Sequence, residues 1–183
     1  MFDADGVVIQ SQMFSEKYAQ ESNTEISELD DFFQTDFQEC LVGRSDLKIA
    51  VAPWLEKWSW PGSVDDFLAY WFKSEHNLNL ELIESIRELR QNNIRCVLAT
   101  NQEKYRVEYM KKEMGFDTIF DKVYSSDRIG FKKPDVRFYS YILDNLNIDP
   151  TDIIFYDDSL GNIESARSLG IDSHLYHPGL KLV

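Results

Sequence analysis

Hydrophobic positions along the chain follow two regimes. Between residues 11 and 85 they recur every three or four places: Ile26, Leu29, Phe32 and Phe33, then Ile49, Trp54, Leu55 and Trp58. Pro61-Gly62 breaks the run, and Val64, Phe67, Leu68 and Trp71 begin another. That period places apolar side chains on one face of successive helices, the pattern of a small helical bundle whose aromatics form its core or, in part, face a substrate. Further along, the period changes. An amphipathic helix through Leu82, Ile83, Ile86 and Leu89 leads into an apolar run at 94–100 that reads as a buried strand. A helix at 105–114 closes at Gly115 before a strand at Lys122–Ser125, and a helix at Val136–Leu146 precedes a strand at 153–156. A helix carrying Ile163, Ala166 and Leu169 stops at Gly170, ahead of a last strand at 174–176. Strands alternating with helices at this spacing predict an α/β fold, a parallel sheet with helices on both faces.

Charge sharpens this division. The 183 residues carry a net charge of −13, and residues 11–85 hold 15 acidic side chains against 5 basic ones. The shift marks an inserted unit at 11–85, with 1–10 and 86–183 forming the sheet domain. Such acidity argues against nucleic acid and anionic lipid as partners, because both demand a basic surface. No apolar run reaches membrane-spanning length, and no basic-then-apolar leader opens the sequence. Cys40 and Cys96 are too few for a disulfide framework and match no zinc spacing, so a reducing cytoplasm is the expected location.

In a parallel sheet, ligands bind at the carboxyl ends of strands. Three predicted ends carry unusual residues: Asp3-Ala4-Asp5-Gly6, Thr100-Asn101 and Asp157-Asp158. Paired carboxylates at buried strand ends raise the cost of ionising both, an objection a divalent cation removes. Asp3, Asp157 and Asp158 offer the oxygen ligands that Mg²⁺ prefers. An Asp-x-Asp-Gly calcium loop is excluded, because Met1 and Gln12 would fall where carboxylates are required. Plainer alternatives stand beside the others. Thr100-Asn101 and Asp157-Asp158 are also fit to cap the helices that follow, and Lys132-Lys133 to be a solvated pair with Asp135 as a helix cap.

Taken in order, Asp3-Ala4-Asp5-Gly6-Val7, Thr100-Asn101, Gly130-Phe131-Lys132-Lys133-Pro134-Asp135 and Phe155-Tyr156-Asp157-Asp158-Ser159 resemble the four motifs of the haloacid-dehalogenase-like (HAD) hydrolases. The insertion is similar to the α-helical cap of that superfamily's subfamily I. The resemblance implies a Rossmann-like core closed by a helical cap, and an Mg²⁺-dependent phosphatase acting on a small phosphorylated metabolite. Asp3 is then the nucleophile that forms an aspartyl-phosphate, and Asp5 the acid and base. Thr100 and the Asn101 backbone N–H bind the phosphoryl oxygens, and Lys133, which directly precedes the proline, neutralises charge on nucleophile and phosphate. Mg²⁺ falls to Asp3, Asp157, Asp158 and the backbone carbonyl of Asp5.

Asp5 favours phosphoryl chemistry over dehalogenation, since the family's dehalogenases lack it. A phosphomutase shares both aspartates, and a HAD-fold binding protein without turnover is the alternative from another class. Of the cap cations, only Arg44 sits in a Gly-bounded loop, Leu41-Val42-Gly43-Arg44-Ser45, so it is expected either to contact substrate or to form a salt bridge within the cap. The pattern departs from the family at its start. Only Met1 and Phe2 precede Asp3, so the sequence reads either as beginning inside its first strand or as a shortened member whose central strand pairs poorly. The expected assembly is a monomer or homodimer.

Overall fold

A computed structural model describes residues 1–22 and 25–182. The helical insertion comprises α1 (Phe14–Ser22), α2 (Ile26–Gln34), α3 (Asp36–Leu41), α4 (Leu47–Lys57) and α5 (Val64–Ser74). Then follow α6 (Leu80–Gln91), β1 (Val97–Thr100), α7 (Lys104–Lys112), α8 (Phe116–Ile119), β2 (Lys122–Ser125) and α9 (Ser126–Ile129). The remainder is α10 (Val136–Leu146), a 3₁₀ turn at Pro150–Asp152, β3 (Ile154–Asp157), α11 (Leu160–Arg167) and β4 (Asp172–Leu175).

The named strands pair in parallel, β1 with β2 and β3 with β4. Residues 1–3 join the two pairs, with Phe2 bridging Leu98 on one side and Tyr156 on the other. Phe2 N donates to Val97 O (3.0 Å), and Ala99 N to Phe2 O (2.8 Å). On the opposite edge Tyr156 N donates to Met1 O (3.0 Å) and Asp3 N to Tyr156 O (2.9 Å). The expected weak pairing of so short a segment therefore does not arise, because each of these backbone groups finds a partner in a neighbouring strand. Asp3 lies between the carboxyl ends of β1 and β3.

Alternation along the strands feeds two cores, as a sheet covered on both faces requires. Leu98, Tyr156 and Phe2 pack with Ile83, Ile86 and Met110 of α6 and α7 on one face. Val97, Ala99 and Phe155 pack with Phe138, Tyr139 and Ile163 of α10 and α11 on the other. Because α6 buries Leu82, Ile83 and Ile86 in the sheet's core, residues 80–85 group with the core and not with the insertion, contrary to the charge-based boundary at 85. The insertion has its own core, in which Leu29, Phe32, Leu55, Trp58, Phe67 and Trp71 cluster as the helical period predicts.

The two connections to the cap run side by side. Gln10 N donates to Asn77 O (2.8 Å) and Asn79 N to Val8 O (2.9 Å). After Asp3 the chain turns tightly, Ala4 O accepting from the N–H groups of Val7, Val8 and Ile9. Gly6 is required there. Its φ is +77°, and a Cβ would meet Asp158 Oδ2 at 1.9 Å, so only glycine lets the turn approach that carboxylate.

Candidate active site

Asp3, Asp157, Asp158 and Lys133 converge at the carboxyl ends of the strands. Asp3 Oδ1 accepts from Ala4 N and from Lys133 Nζ, each at 2.7 Å. Lys133 Nζ also donates to Asp157 Oδ2 (2.6 Å). Asp157 is fully buried, and its carboxylate further accepts from Ser159 N (2.8 Å) and Asn162 Nδ2 (2.9 and 3.1 Å). Lys132, by contrast, reaches into the cap and donates to Gln38 Oε1. Of the two lysines, the one before the proline therefore meets the Asp3 carboxylate.

Burial pushes the Asp3 carboxyl well above the usual carboxylate range; Lys133 opposes that shift and Asp157 adds to it. Burial works against the Lys133 ammonium too, but Asp3 and Asp157 overcome it and hold its pKa above the ordinary lysine value. Asp158 is also raised, by burial and then by Asp157. One carboxylate oxygen from each of Asp3, Asp157 and Asp158 lies within 4.8 Å of the others. Three carboxylates near one ammonium, two of them buried and Asp158 exposed, leave an excess of negative charge, and oxygen-only donors at this spacing suit a hard divalent cation. The residues present fit Mg²⁺.

Asp5 stands apart from that cluster. Its Oδ2 accepts from Gln102 Nε2 (2.5 Å), and its Oδ1 lies 3.5 Å from Arg106 Nη2. Arg106 is 2 % exposed, and its Nη1 sits 2.5 Å from Glu75 Oε2 without hydrogen-bond alignment. Its Nε has no hydrogen-bond partner among the described residues. Glu75, just after cap helix α5, also accepts from Phe14 N (2.8 Å) and Trp71 Nε1 (3.1 Å). Thus Arg106 links the carboxyl two places beyond Asp3 to the cap. Thr100 ends β1 and lines the same cavity. The Asn101 side chain ties two loops together, donating to Lys133 O (2.9 Å) and accepting from Lys133 N (2.8 Å). Glu103, not Thr100 or Asn101, caps α7, so the plain capping alternative for that pair does not apply. Asp135 does cap α10, accepting from Arg137 N.

A cavity of about 400 Å³ lies between cap and sheet, with Asp3, Asp5, Thr100, Asn101, Lys133 and Asp158 on its floor. Arg44 is not part of it. The turn at Gly43 (φ +70°) leaves Arg44 on the cap surface, where Nε and Nη2 donate to Glu39 at 2.6 and 2.9 Å. Of the two roles expected for it, the structure has the intracap salt bridge. Sequence reasoning missed Gln102, Arg106, Glu75 and Asn162, all of which line the cavity. One signal was present: Arg106 lies four residues before Met110, so the helical period puts a cation on the buried face of α7.

A family model for haloacid dehalogenase-like hydrolases matches residues 1–170. Drimenol cyclase drtB of Aspergillus calidoustus is 33% identical over 95 residues, 52% of this chain and 18% of that protein. A phosphorylated carbohydrates phosphatase of Thermotoga maritima is 26% identical over 89 residues, 49% of this chain and 41% of that protein. Sesquiterpene phosphatase astK of Aspergillus oryzae is 29% identical over 87 residues, 47% of this chain and 44% of that protein. The matched stretch spans less than half the length of each of these relatives. Among solved structures, a HAD family enzyme from Bacteroides thetaiotaomicron in complex with magnesium and inorganic phosphate superposes with a TM-score of 0.82 at 20% identity, covering 98% of this chain and 94% of that one.

Proposed function

The chain belongs to the haloacid dehalogenase-like hydrolases, and on that premise we propose that it is an Mg²⁺-dependent phosphatase that hydrolyses a small phosphate monoester through an aspartyl-phosphate on Asp3. The observation that carries this reading is the placement of Asp5. Its carboxylate faces the same cavity as Asp3 but is turned to Gln102 and Arg106, away from the acidic cluster. A carboxyl kept clear of the metal ligands is suited to give a proton to a leaving oxygen and later to take one from water.

The remaining residues divide the work. Asp3 attacks phosphorus, splitting a hard displacement into two easier ones. Lys133, already bonded to Asp3 and Asp157, offsets charge as the two anions approach. Thr100 and the Asn101 N–H receive phosphoryl oxygens, and the Asn101 side chain holds the Lys133 backbone in register with them. Asp3 and Asp158 would hold Mg²⁺, with the Asp5 carbonyl as a further ligand. Asp157, already accepting from Lys133, Ser159 and Asn162, would contribute directly or through water. When bound, the cation supplies charge neutralisation for the phosphoryl group.

Relatives named as phosphatases for phosphorylated carbohydrates and for a sesquiterpene support phosphoester hydrolysis while differing in the organic half of the substrate. Hydrolysis is preferred to a mutase reaction because, among the described residues, no cap lysine or arginine lines the cavity to clamp a second phosphate. The test is hydrolysis of p-nitrophenyl phosphate with Mg²⁺ and with EDTA, in the wild type and in Asp3→Asn. Turnover should need the metal and fall by at least about 10³-fold in Asp3→Asn, in keeping with loss of the nucleophile. Equal, metal-independent rates in both proteins would overturn the mechanism.

A further inference from the structure

The floor and the roof of the cavity differ in chemistry. The floor is charged and polar, as described above. The roof, contributed by the cap, is Phe14, Phe33, Phe37, Leu41 and Trp71, with Met13 at its edge. Met13 is 67 % exposed. Among the described residues, the polar side chains that the cap brings to the cavity are Ser11, Ser15 and Glu75. Glu75 is already engaged by Arg106, Phe14 N and Trp71 Nε1. A polyhydroxylated sugar would leave most of its hydroxyls facing aromatic rings, and each unpaired polar group there opposes binding.

The charge balance excludes a second phosphate. Among the described residues, Lys133 and Arg106 are the cations of the cavity, and both are committed: Lys133 to Asp3 and Asp157, Arg106 to Asp5 and Glu75. With a divalent cation at the acidic cluster the site takes one phosphoryl group, and nothing remains to neutralise another. A volume of about 400 Å³ falls within the range of small-molecule sites, about 300–1,000 Å³.

Resting on the hydrolase reading for the phosphoryl end, we propose that the substrates are phosphate monoesters of apolar alcohols, with the alkyl or isoprenoid-like chain lying against Phe33, Phe37, Leu41 and Trp71. The tail then displaces water from aromatic walls, the largest favourable term available to a ligand in this roof. Met13 covers the far end of the chain.

The test uses n-alkylphosphonates from ethyl to octyl, which bind but are not hydrolysed, titrated by calorimetry into the Mg²⁺-supplemented protein. Affinity should rise about three- to fourfold per added methylene, the value for burying one, until the roof is filled. Phe37→Ser should flatten that increment. Met13→Lys, at an exposed position that endangers no core, should flatten it for the longest members only. In turnover, kcat/KM for hexyl phosphate should exceed that for glucose 6-phosphate by at least tenfold. An affinity independent of chain length, or glucose 6-phosphate as the better substrate, overturns the proposal. A chain-length-dependent affinity with no turnover of any ester, p-nitrophenyl phosphate included, instead upholds the apolar ligand and overturns the hydrolase reading.

Discussion

At the scale of single residues, the site rests on side chains that reach the same point from distant places in the sequence. Asp3 meets Lys133, and Asp5 meets Gln102 and Arg106. The aspartates, Thr100 and Lys133 were legible because each stands beside a distinctive neighbour, a second carboxylate, an asparagine or a proline. Arg106 and Asn162 have no such neighbours, and only the fold brings them to Asp5 and Asp157. Arg44 stayed open between two roles because a glycine-bounded loop signals freedom to point anywhere, and the structure pairs it with Glu39. Arg106 touches Asp5 and not the phosphoryl site, so we treat it as a positioning residue. Arg106→Lys should lower kcat about ten- to a hundredfold with little change in KM, a part of the usual general-acid contribution. The loss should be greater for alkyl phosphates, whose leaving oxygen needs a proton, than for p-nitrophenyl phosphate. Steady-state kinetics on both esters check this; equal losses on both would assign Arg106 a purely structural part.

At the scale of elements, the strand period placed β2 at its observed bounds and the helical period placed α10 near its own, whereas β1 starts at Val97 and not at 94. Ile94 is 51 % exposed, and the Asp121 carboxylate takes the Cys96 N–H that a longer strand would have offered to its neighbour. The helices α8 and α9, of four residues each, are too short to show a period. Helix α7 illustrates how an element's terminus can carry a measurable charge effect. Its cap, Glu103, accepts from Tyr105 N (2.9 Å) and Arg106 N (2.5 Å) yet is buried, and burial lifts its carboxyl from 4.5 to about 7. The folded state therefore holds a proton that the unfolded chain releases near pH 4.5. This group's contribution to stability is greatest below that pH and is lost as pH rises through 7. Glu103→Gln stays neutral throughout and keeps an acceptor for the cap. Its melting temperature should match the wild type at pH 4 and exceed it by several degrees at pH 8, as thermal unfolding at the two pH values will show.

At the scale of the whole molecule, cap and core meet through ties of unequal depth around one cavity. Asp46 of the cap accepts from Lys104 Nζ (2.5 Å) and Tyr105 Oη (2.9 Å) near solvent. Glu75 pairs with Arg106 out of solvent, and Arg106 in turn faces Asp5. The strong negative charge of residues 11–85, which in the sequence marked the inserted unit and argued against polyanionic partners, makes these few cationic contacts from the core the electrostatic link between the two units. Their energetic weights should differ. Exposed pairs contribute about 0–1 kcal/mol, whereas removing one partner of a buried pair costs about 3–5 kcal/mol because a buried charge is left unmatched. Asp46→Asn should therefore change stability by less than about 1 kcal/mol, while Glu75→Gln should cost several times more. Glu75→Gln should also lower kcat, since an Arg106 released from the cap no longer holds Asp5 in one place. Urea unfolding and steady-state kinetics on the two variants measure both quantities. Equal losses of stability would mean that the two ties are equally hydrated. A destabilised Glu75→Gln with unchanged kcat would mean that the cap and Asp5 act independently.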